Sequence, residues 1–311
     1  MIKGSNRLDT VKEYYFSKKL REVASLIKSG KPIINMGIGS PDLFPSKTVI
    51  NILKNSLSDL NSHRYQSYQG LPEFREAISK FFLKFFKVKS SPVDEILPLM
   101  GSKEGIMHIS MAFLNKGDEV LIPNPGYPTY LTVTNLVEAT PVFYDLKKEN
   151  NWFPDLVELQ KKDLKKVKIM WINYPHMPTG SSATKKQLSE LIKLSVKNNI
   201  LLINDNPYSF ILNDDFISLL TLNKAKENCM ELNSLSKSFN LSGWRVGMLL
   251  GSKENISRVL KVKSNMDSGM FYGIQKGAIE ALNLDKKWFD DLNKVYKRRR
   301  ELVWQLATIL K

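Results

Sequence analysis

Along this 311-residue chain, an apolar run, a polar loop and a helical pattern follow one another repeatedly in the same order. Apolar runs at residues 96–100, 120–122, 167–172 and 200–204 each end in a loop rich in glycine, proline or polar residues. Strands that alternate with helices pair in parallel, because each connecting helix crosses a face of the sheet. The sequence therefore predicts an α/β fold with a mostly parallel sheet flanked by helices.

One lysine, Lys237, lies in a setting suited to hold a phosphate beside a reactive amine. It follows the hydroxyl residues Ser234 and Ser236, and Arg245 comes eight residues later. Hydroxyls and a guanidinium can satisfy phosphate oxygens, and a lysine amine can form a Schiff base with an aldehyde. Pyridoxal phosphate carries both groups, so the stretch indicates a site for that cofactor. Taken alone, a lysine is most often a solvated surface charge.

The stretch from Ser234 to Gly247 resembles the lysine signature of class I/II pyridoxal-phosphate aminotransferases, the fold-type I aspartate aminotransferase superfamily. The resemblance implies that Lys237 is the aldimine lysine, and that Arg245, Ser234 and Ser236 contact the cofactor phosphate. It also implies that an amino group moves from an amino acid to a 2-oxo acid. Lys237 would then transfer the proton as general base and acid.

A glycine turn after the first apolar run offers further contacts to a phosphate. Gly101, Ser102 and Lys103 stand between a predicted strand and a predicted helix. Free backbone N–H groups and the positive end of the helix dipole bind phosphate at such a turn, although Gly-Ser is also common in turns that bind nothing. In a later proline-rich loop, Tyr127 matches the aromatic residue that stacks on the cofactor ring in the resembled family.

Asp205 and Tyr208 directly follow the apolar run at 200–204. Ligands of open α/β sheets bind at the carboxyl ends of the strands, where both side chains are expected. The resemblance implies that Asp205 pairs with the pyridine nitrogen and keeps the ring an electron sink. It implies that Tyr208 donates to the phenolic oxygen O3′. By itself, Asp205 would most often be a turn or cap residue.

Met177 departs from the family pattern. Family members usually have an asparagine immediately before Pro-Thr-Gly, and it hydrogen-bonds the phenolic oxygen of the cofactor; this chain has Met177 there. A thioether has no N–H to donate, so we expect either His176 to act as the donor or Tyr208 to act alone. Loss of a donor to a phenolate should raise the pKa of the aldimine.

Two further residues are assigned through the resemblance alone. Gly39 matches a glycine beside the substrate carboxylate, and Tyr65 matches a tyrosine that reaches the cofactor phosphate of the neighbouring subunit. Tyr65 therefore implies a homodimer with shared sites. On their own, the two residues would be a turn glycine and an ordinary half-buried tyrosine. His108, within a predicted helix, is expected to be packed rather than catalytic.

Composition excludes several other classes of protein. The formal charge of +15 comes mainly from lysines spread along the chain without interleaved aromatic residues, which argues against nucleic-acid binding. Arg298 to Arg300 fit a solvated helix face or a salt-bridged surface better than a binding site. No membrane span, signal peptide or metal-binding motif is apparent, so a cytoplasmic enzyme without a metal is expected. The single cysteine, Cys229, lies in an apolar run and is expected to be a buried structural thiol.

The expected organisation has three parts. Residues 1–45 would contribute to the small domain and an active-site loop, with a helix from Thr10 to Lys28 and a strand from Ile33 leading into the loop. Residues 46–284 would form the large cofactor-binding domain. Residues 285–311 would begin a small α+β domain that is truncated here. The family's arginine for the substrate α-carboxylate is expected beyond Lys311.

Three functional interpretations remain open from the sequence. The first is an aminotransferase. The second is a pyridoxal-phosphate lyase of the same fold, and the third is a catalytically impaired relative that still binds the cofactor. Neither the amino donor nor the acceptor follows from the sequence.

Overall fold

A computed structural model describes residues 2–37, 39–223 and 225–310. Within these ranges the chain forms one seven-stranded sheet with helices on both faces. The strands are β1 (Ile96–Leu99), β2 (Glu119–Asn124), β3 (Thr140–Asp145), β4 (Val167–Ile172), β5 (Leu201–Asp205), β6 (Cys229–Ser234) and β7 (Gly247–Leu250). The α/β fold predicted from the sequence is confirmed.

The helices separate most of these strands along the chain. They are α1 (Tyr15–Lys28), α2 (Lys47–Ser56), α3 (Pro72–Phe86), α4 (Ser102–Phe113), α5 (Pro128–Leu136), α6 (Leu156–Lys161), α7 (Lys185–Lys197), α8 (Ala225–Asn228), α9 (Leu235–Ser238), α10 (Lys253–Lys263), α11 (Tyr272–Leu282) and α12 (Lys286–Ile309). Short 3₁₀ turns cover Asn6–Thr10, Leu60–His63, Lys148–Asn150, Leu219–Thr221 and Ser242–Trp244.

The strand order β1-β7-β6-β5-β4-β2-β3 creates the crevice in which a ligand can bind. Strands β2 to β6 are mutually parallel, whereas β7 runs antiparallel to both β6 and β1. The chain passes from β2 outward to β3 and then returns to β4 on the other side of β2. Such a reversal opens a gap at the carboxyl ends of the strands. The loops after β2, β4, β5 and β6 surround that gap.

Two apolar clusters cover the two faces of the sheet. One contains a group of phenylalanines on α3 that pack against Phe210 and Phe289. The other contains Tyr130, Trp171 and Ile203. Because side chains alternate between faces along a strand, neighbouring residues of β5 and β6 belong to opposite clusters.

Two expectations for the N-terminal segment are wrong. The helix begins at Tyr15 rather than Thr10, and a separate 3₁₀ turn occupies Asn6–Thr10. The run from Ile33 forms no strand in its described residues, and its apolar side chain Ile34 is 87% exposed. A strand needs a neighbour to satisfy its backbone groups, and among the described residues no strand of the sheet pairs with this segment.

Candidate active site

Asp205 occupies the end of the buried strand β5 at the floor of the crevice. Its Oδ2 accepts a hydrogen bond from the Tyr130 hydroxyl at 2.9 Å. Its Oδ1 is buried and has no hydrogen-bond partner among the described residues. Burial raises the pKa of Asp205 to about 7. A buried acceptor without a donor is energetically costly, so this atom is suited to receive a cationic N–H group from a ligand.

Tyr130 was not singled out by the sequence analysis, although it fixes the Asp205 carboxylate. Its ring is fully buried and stacks on Trp171, with centroids 5.0 Å apart and planes 7° apart. It lies on α5, three residues after Tyr127 at the N-cap of that helix, and this spacing is a sequence signal that could have identified it. The Tyr127 ring meets it edge-on, at a centroid distance of 5.6 Å.

Lys237 lies on the short helix α9, directly after β6. Its Nζ donates to the Gly39 carbonyl oxygen at 2.8 Å, so the structure brings together two residues that the sequence separates widely. Burial lowers the pKa of the Lys237 amine, and the positive charge of Arg245 lowers it further. A lysine with a lowered pKa has a larger fraction of neutral, nucleophilic amine.

The turn before α4 lies against Arg245, as a phosphate site would require. Gly101 has φ +90°, and a Cβ placed on it would overlap the Arg245 guanidinium. A Cβ on Gly247 would approach the Ser102 backbone nitrogen to 2.7 Å. Arg245 Nη1 donates to the Ser242 carbonyl oxygen at 2.8 Å. The two glycines therefore let free N–H groups at the start of a helix lie beside a guanidinium.

The two predicted serines have different surroundings. Ser236 Oγ lies 3.5 Å from Arg245 Nη1 and so faces the cationic turn. Ser234 Oγ instead accepts from the Ser236 backbone N–H at 3.1 Å and caps α9. Its buried hydroxyl therefore holds the helix that carries Lys237.

Tyr127 and Tyr208 lie near one another, together with Tyr14, which the sequence analysis missed. Burial raises the pKa of Tyr208 to about 12, with further contributions from Asp205 and Tyr127. Burial also raises the pKa of Tyr14, and Tyr127 and Tyr208 contribute to that rise. The Lys103 ammonium lies 4.0 Å from the centre of the Tyr14 ring. The N-terminal segment thus contributes an aromatic residue to the rim of the crevice.

The loop that contains Met177 is held by Asn173, another residue that the sequence analysis did not single out. Asn173 Oδ1 accepts from the Met177 backbone N–H at 2.7 Å, and its amide donates to the Asp205 carbonyl oxygen. His176 Nδ1 lies 2.8 Å from Thr179 Oγ1. Burial lowers the pKa of His176 to about 4, so the ring is neutral at physiological pH.

Tyr65 and His108 lie apart from these contacts. Tyr65 is 92% exposed and makes little contact within its own chain. His108 is buried on α4, and its Nε2 lies 2.9 Å from Glu104 Oε1. A packed structural role for this histidine agrees with the sequence-based expectation.

A lysine amine beside a cationic turn, at the carboxyl ends of parallel strands, is the arrangement of an α/β enzyme that binds a phosphorylated aldehyde. Residues 31–309 match the family of class I and II aminotransferases. The chain belongs to this family and is a pyridoxal-phosphate-dependent aminotransferase of fold type I, with amino acid and 2-oxo acid substrates.

Individual relatives agree with this assignment. The chain is 37% identical to the LL-diaminopimelate aminotransferase of Aquifex aeolicus and 40% identical to that of Natranaerobius thermophilus; each alignment covers 97% of this chain and 79% of the relative. The solved structure of apo-BacF from Bacillus subtilis has a TM-score of 0.93 at 32% identity, covering 96% of this chain and 77% of BacF. In the described part of the chain, no helix combines the length and apolar character needed to cross a bilayer.

Proposed function

We propose that this aminotransferase holds pyridoxal phosphate covalently on Lys237 and takes LL-diaminopimelate, or a similar amino acid with a distal carboxylate, as its amino donor. The observation that carries the proposal is the combination of two groups on the adjacent strand ends of β5 and β6. One is an amine with a lowered pKa, Lys237, and the other is a buried carboxylate with one free oxygen, Asp205.

The residues of the crevice fit pyridoxal phosphate. Asp205 Oδ1 lacks a donor among the described atoms, and the protonated pyridine nitrogen would supply one. The phosphate would be held by the turn of Gly101, Ser102 and Lys103 together with Ser236 and Arg245. Ser234 would act through α9. The Tyr127 ring would stack on the cofactor ring.

Bound pyridoxal phosphate supplies an electron sink for the electrons released at the substrate Cα. The chain supplies the proton chemistry and the orientation. Once the substrate amine has displaced it from the cofactor, the Lys237 amine would take the proton from Cα and deliver it to the former aldehyde carbon, and its lowered pKa favours this role as a base. The Gly39 carbonyl, which accepts from this amine, lies where it could orient it and border the substrate carboxylate.

Tyr208 would donate to the phenolic oxygen of the cofactor, at a site where Met177 replaces the usual asparagine. Met177 has no N–H in its side chain, and His176 Nδ1 is engaged with Thr179 Oγ1. His176 Nε2, however, is buried without a hydrogen-bond partner among the described residues. His176 therefore stays available as the second donor, the other alternative drawn from the sequence.

Two observations support the proposed amino donor: the names of the similar enzymes and a positive charge at the rim of the crevice. Relatives 37% and 40% identical are named LL-diaminopimelate aminotransferase. The exposed Lys103 ammonium beside Tyr14 offers a positive charge to a second carboxylate of the substrate. Amino donors without a distal carboxylate should therefore be poorer substrates.

The assembly and organisation of the enzyme are part of the same proposal. The exposure of Tyr65 is consistent with a homodimer in which this ring completes the neighbouring site. We propose the domain division predicted above, 1–45, 46–284 and 285–311, and a cytoplasmic location. Sedimentation of the wild-type enzyme and of the Tyr65→Phe variant tests the homodimer. Cell fractionation tests the cytoplasmic location.

The direct test is the visible spectrum of the protein mixed with pyridoxal phosphate, before and after addition of single amino acids. Lys237→Ala should lose the bound-cofactor band, whereas the exposed control Lys261→Ala should keep it. Conversion of the band by LL-diaminopimelate with release of one equivalent of 2-oxo acid, followed by recovery of the band and formation of a new amino acid when a 2-oxo acid acceptor is added, would support the proposal. A band that responds only to amino acids without a distal carboxylate would refute the substrate assignment.

A further inference from the structure

Glu231, on β6, is a second buried carboxylate whose hydrogen bonds are all made within the fold. Its Oε1 accepts from Asn204 Nδ2 at 3.0 Å and from Asn206 Nδ2 at 2.8 Å. Its Oε2 accepts from Ser218 Oγ at 2.9 Å and from the Leu219 backbone N–H at 3.0 Å. Four donors around one carboxylate favour its ionised form, which has only acceptors.

The two amides that Glu231 holds belong to the residues on either side of Asp205. Side chains of adjacent strand residues point to opposite faces of a sheet. Leu202, two residues before Asn204, belongs to one apolar cluster, and Ile203, two residues before Asp205, belongs to the other. Glu231 and the Asp205 carboxylate therefore lie on opposite sides of the sheet and cannot touch each other.

We propose that Glu231 is a positioning residue that aims the Asp205 carboxylate at the cofactor, by holding the amides of Asn204 and Asn206 from the opposite face of the sheet. The inference rests on the proposed role of Asp205. When residues i−1 and i+1 are fixed on one face, the direction of residue i on the other face is fixed as well.

The backbone on both sides of Asp205 supports this role. The Asn206 N–H donates to the Leu232 carbonyl oxygen at 2.7 Å and so extends the pairing of β5 with β6 beyond the strand end. Asn204 Oδ1 accepts from the Tyr174 N–H at 2.9 Å. Glu231 thus reaches both the turn after Asp205 and, through Asn204, the start of the loop that contains Met177.

A glutamine at position 231 would keep the size of the side chain but not its function. Its amide has one accepting oxygen, whereas the site presents four donors. The Ser218 hydroxyl can turn to accept, but the Asn206 amide N–H and the Leu219 N–H cannot. Every remaining bond also loses the strengthening that a charged acceptor provides.

The test compares Glu231→Gln with Ser218→Ala. The serine change removes a donor from Oε2, on the side of Glu231 away from the asparagines, and serves as a control for stability. Both variants should melt at lower temperature as apoproteins. Only Glu231→Gln should weaken cofactor binding and raise the pKa of the bound cofactor's visible band, because the ring nitrogen is less firmly paired with Asp205. We expect a rise of about 0.5–1 pH unit and a kcat about tenfold lower with KM nearly unchanged.

A second pair keeps the test decisive if Glu231→Gln does not fold. Asn206→Ala removes the hydrogen bond that the Asn206 amide donates to Glu231. Ser209→Ala removes only the hydrogen bond that the Ser209 hydroxyl donates to Asn206 Oδ1. The first should raise the pKa of the band and the second should not. Band pKa, cofactor affinity and kcat that change equally within each pair would overturn the inference. A wild-type protein without a Lys237-dependent band would instead refute the proposed function.

Discussion

The two buried carboxylates of this enzyme, Asp205 and Glu231, lie on neighbouring strands but differ in how their oxygens are satisfied. Burial raises the pKa of each to about 7. Both oxygens of Glu231 accept two hydrogen bonds, whereas Asp205 accepts one bond on Oδ2 and none on Oδ1 among the described residues. The fold therefore satisfies the hydrogen bonds of the Glu231 carboxylate, whereas the Asp205 carboxylate needs a ligand to supply a donor to Oδ1.

The difference indicates that the unsatisfied oxygen of Asp205 lowers the stability of the apoprotein and favours ligand binding. An unsatisfied buried acceptor costs roughly 1–3 kcal/mol, and more when it is charged. Asp205 bears this cost in the absence of a ligand, and a cationic N–H would remove it. Substitutions at the two positions should therefore have opposite effects on the stability of the apoprotein, although both should reduce activity.

The largest expected effect is that of Asp205→Asn on catalysis. An uncharged amide cannot stabilise a protonated pyridine nitrogen, so kcat should fall by about 10²–10³-fold, the range for loss of one preorganised electrostatic group. Steady-state kinetics with saturating cofactor measures the change. Asp215→Asn, on a partly exposed loop, is the matched control. A loss of less than about fivefold would show that Asp205 does not face the ring nitrogen.

The same substitution should stabilise the apoprotein in a pH-dependent manner. The pKa of Asp205 is raised from 3.8 to about 7, so the folded state binds more protons than the unfolded state between these values. Stability contributed by this group is complete below pH 4 and is lost as the pH rises through 7. Relative to wild type, apo Asp205→Asn should therefore gain stability from pH 5 to pH 8, by at most ~4 kcal/mol.

Denaturant unfolding of both apoproteins across that pH range measures this gain. The comparison with wild type cancels the contribution of His176, whose lowered pKa gives the opposite dependence at acidic pH. A difference that does not vary with pH would mean that Asp205 is already ionised at low pH in the folded protein.

How far the sequence predicts this site depends on whether a residue's role is local. Lys237, Arg245 and the Gly101 turn stand within short patterns. In the structure Gly101 lies against Arg245, whose charge also acts on Lys237. Tyr130 donates to a carboxylate 75 residues further along the chain, so no local pattern could reveal the contact.

Glu231 illustrates the same limit. A charged residue within an apolar strand is visible in the sequence, but its donors come from another strand and from the 3₁₀ turn Leu219–Thr221. The predicted strand at Ile33 failed for a related reason, because strand formation depends on a neighbour that the local sequence does not specify.

A smaller effect should follow from Tyr130→Phe, which removes the hydrogen bond to Asp205 Oδ2 and leaves both carboxylate oxygens without a donor among the described residues. The loss of a bond to a charged group costs about 1.5–3 kcal/mol, and the apoprotein should be destabilised by that amount at pH 8. Chemical denaturation gives the value. Tyr144→Phe, which removes a buried hydroxyl that donates to the Trp171 carbonyl oxygen, is the control. Only Tyr130→Phe should also change the pKa of the cofactor band.

The smallest predicted effect concerns the opposite edge of the cofactor ring, where Met177 leaves Tyr208 as the proposed donor. Met177→Asn would add a donor to the phenolic oxygen and stabilise its anionic form, so the pKa of the visible band should fall by about 0.5 unit. Met177→Leu keeps the size without adding a donor and should leave that pKa unchanged. Because Asp205 acts on the ring nitrogen, the pKa shifts of Met177→Asn and Glu231→Gln should be opposite in sign and additive in the double variant. A pKa that does not respond to Met177→Asn would mean that position 177 does not face the phenolic oxygen.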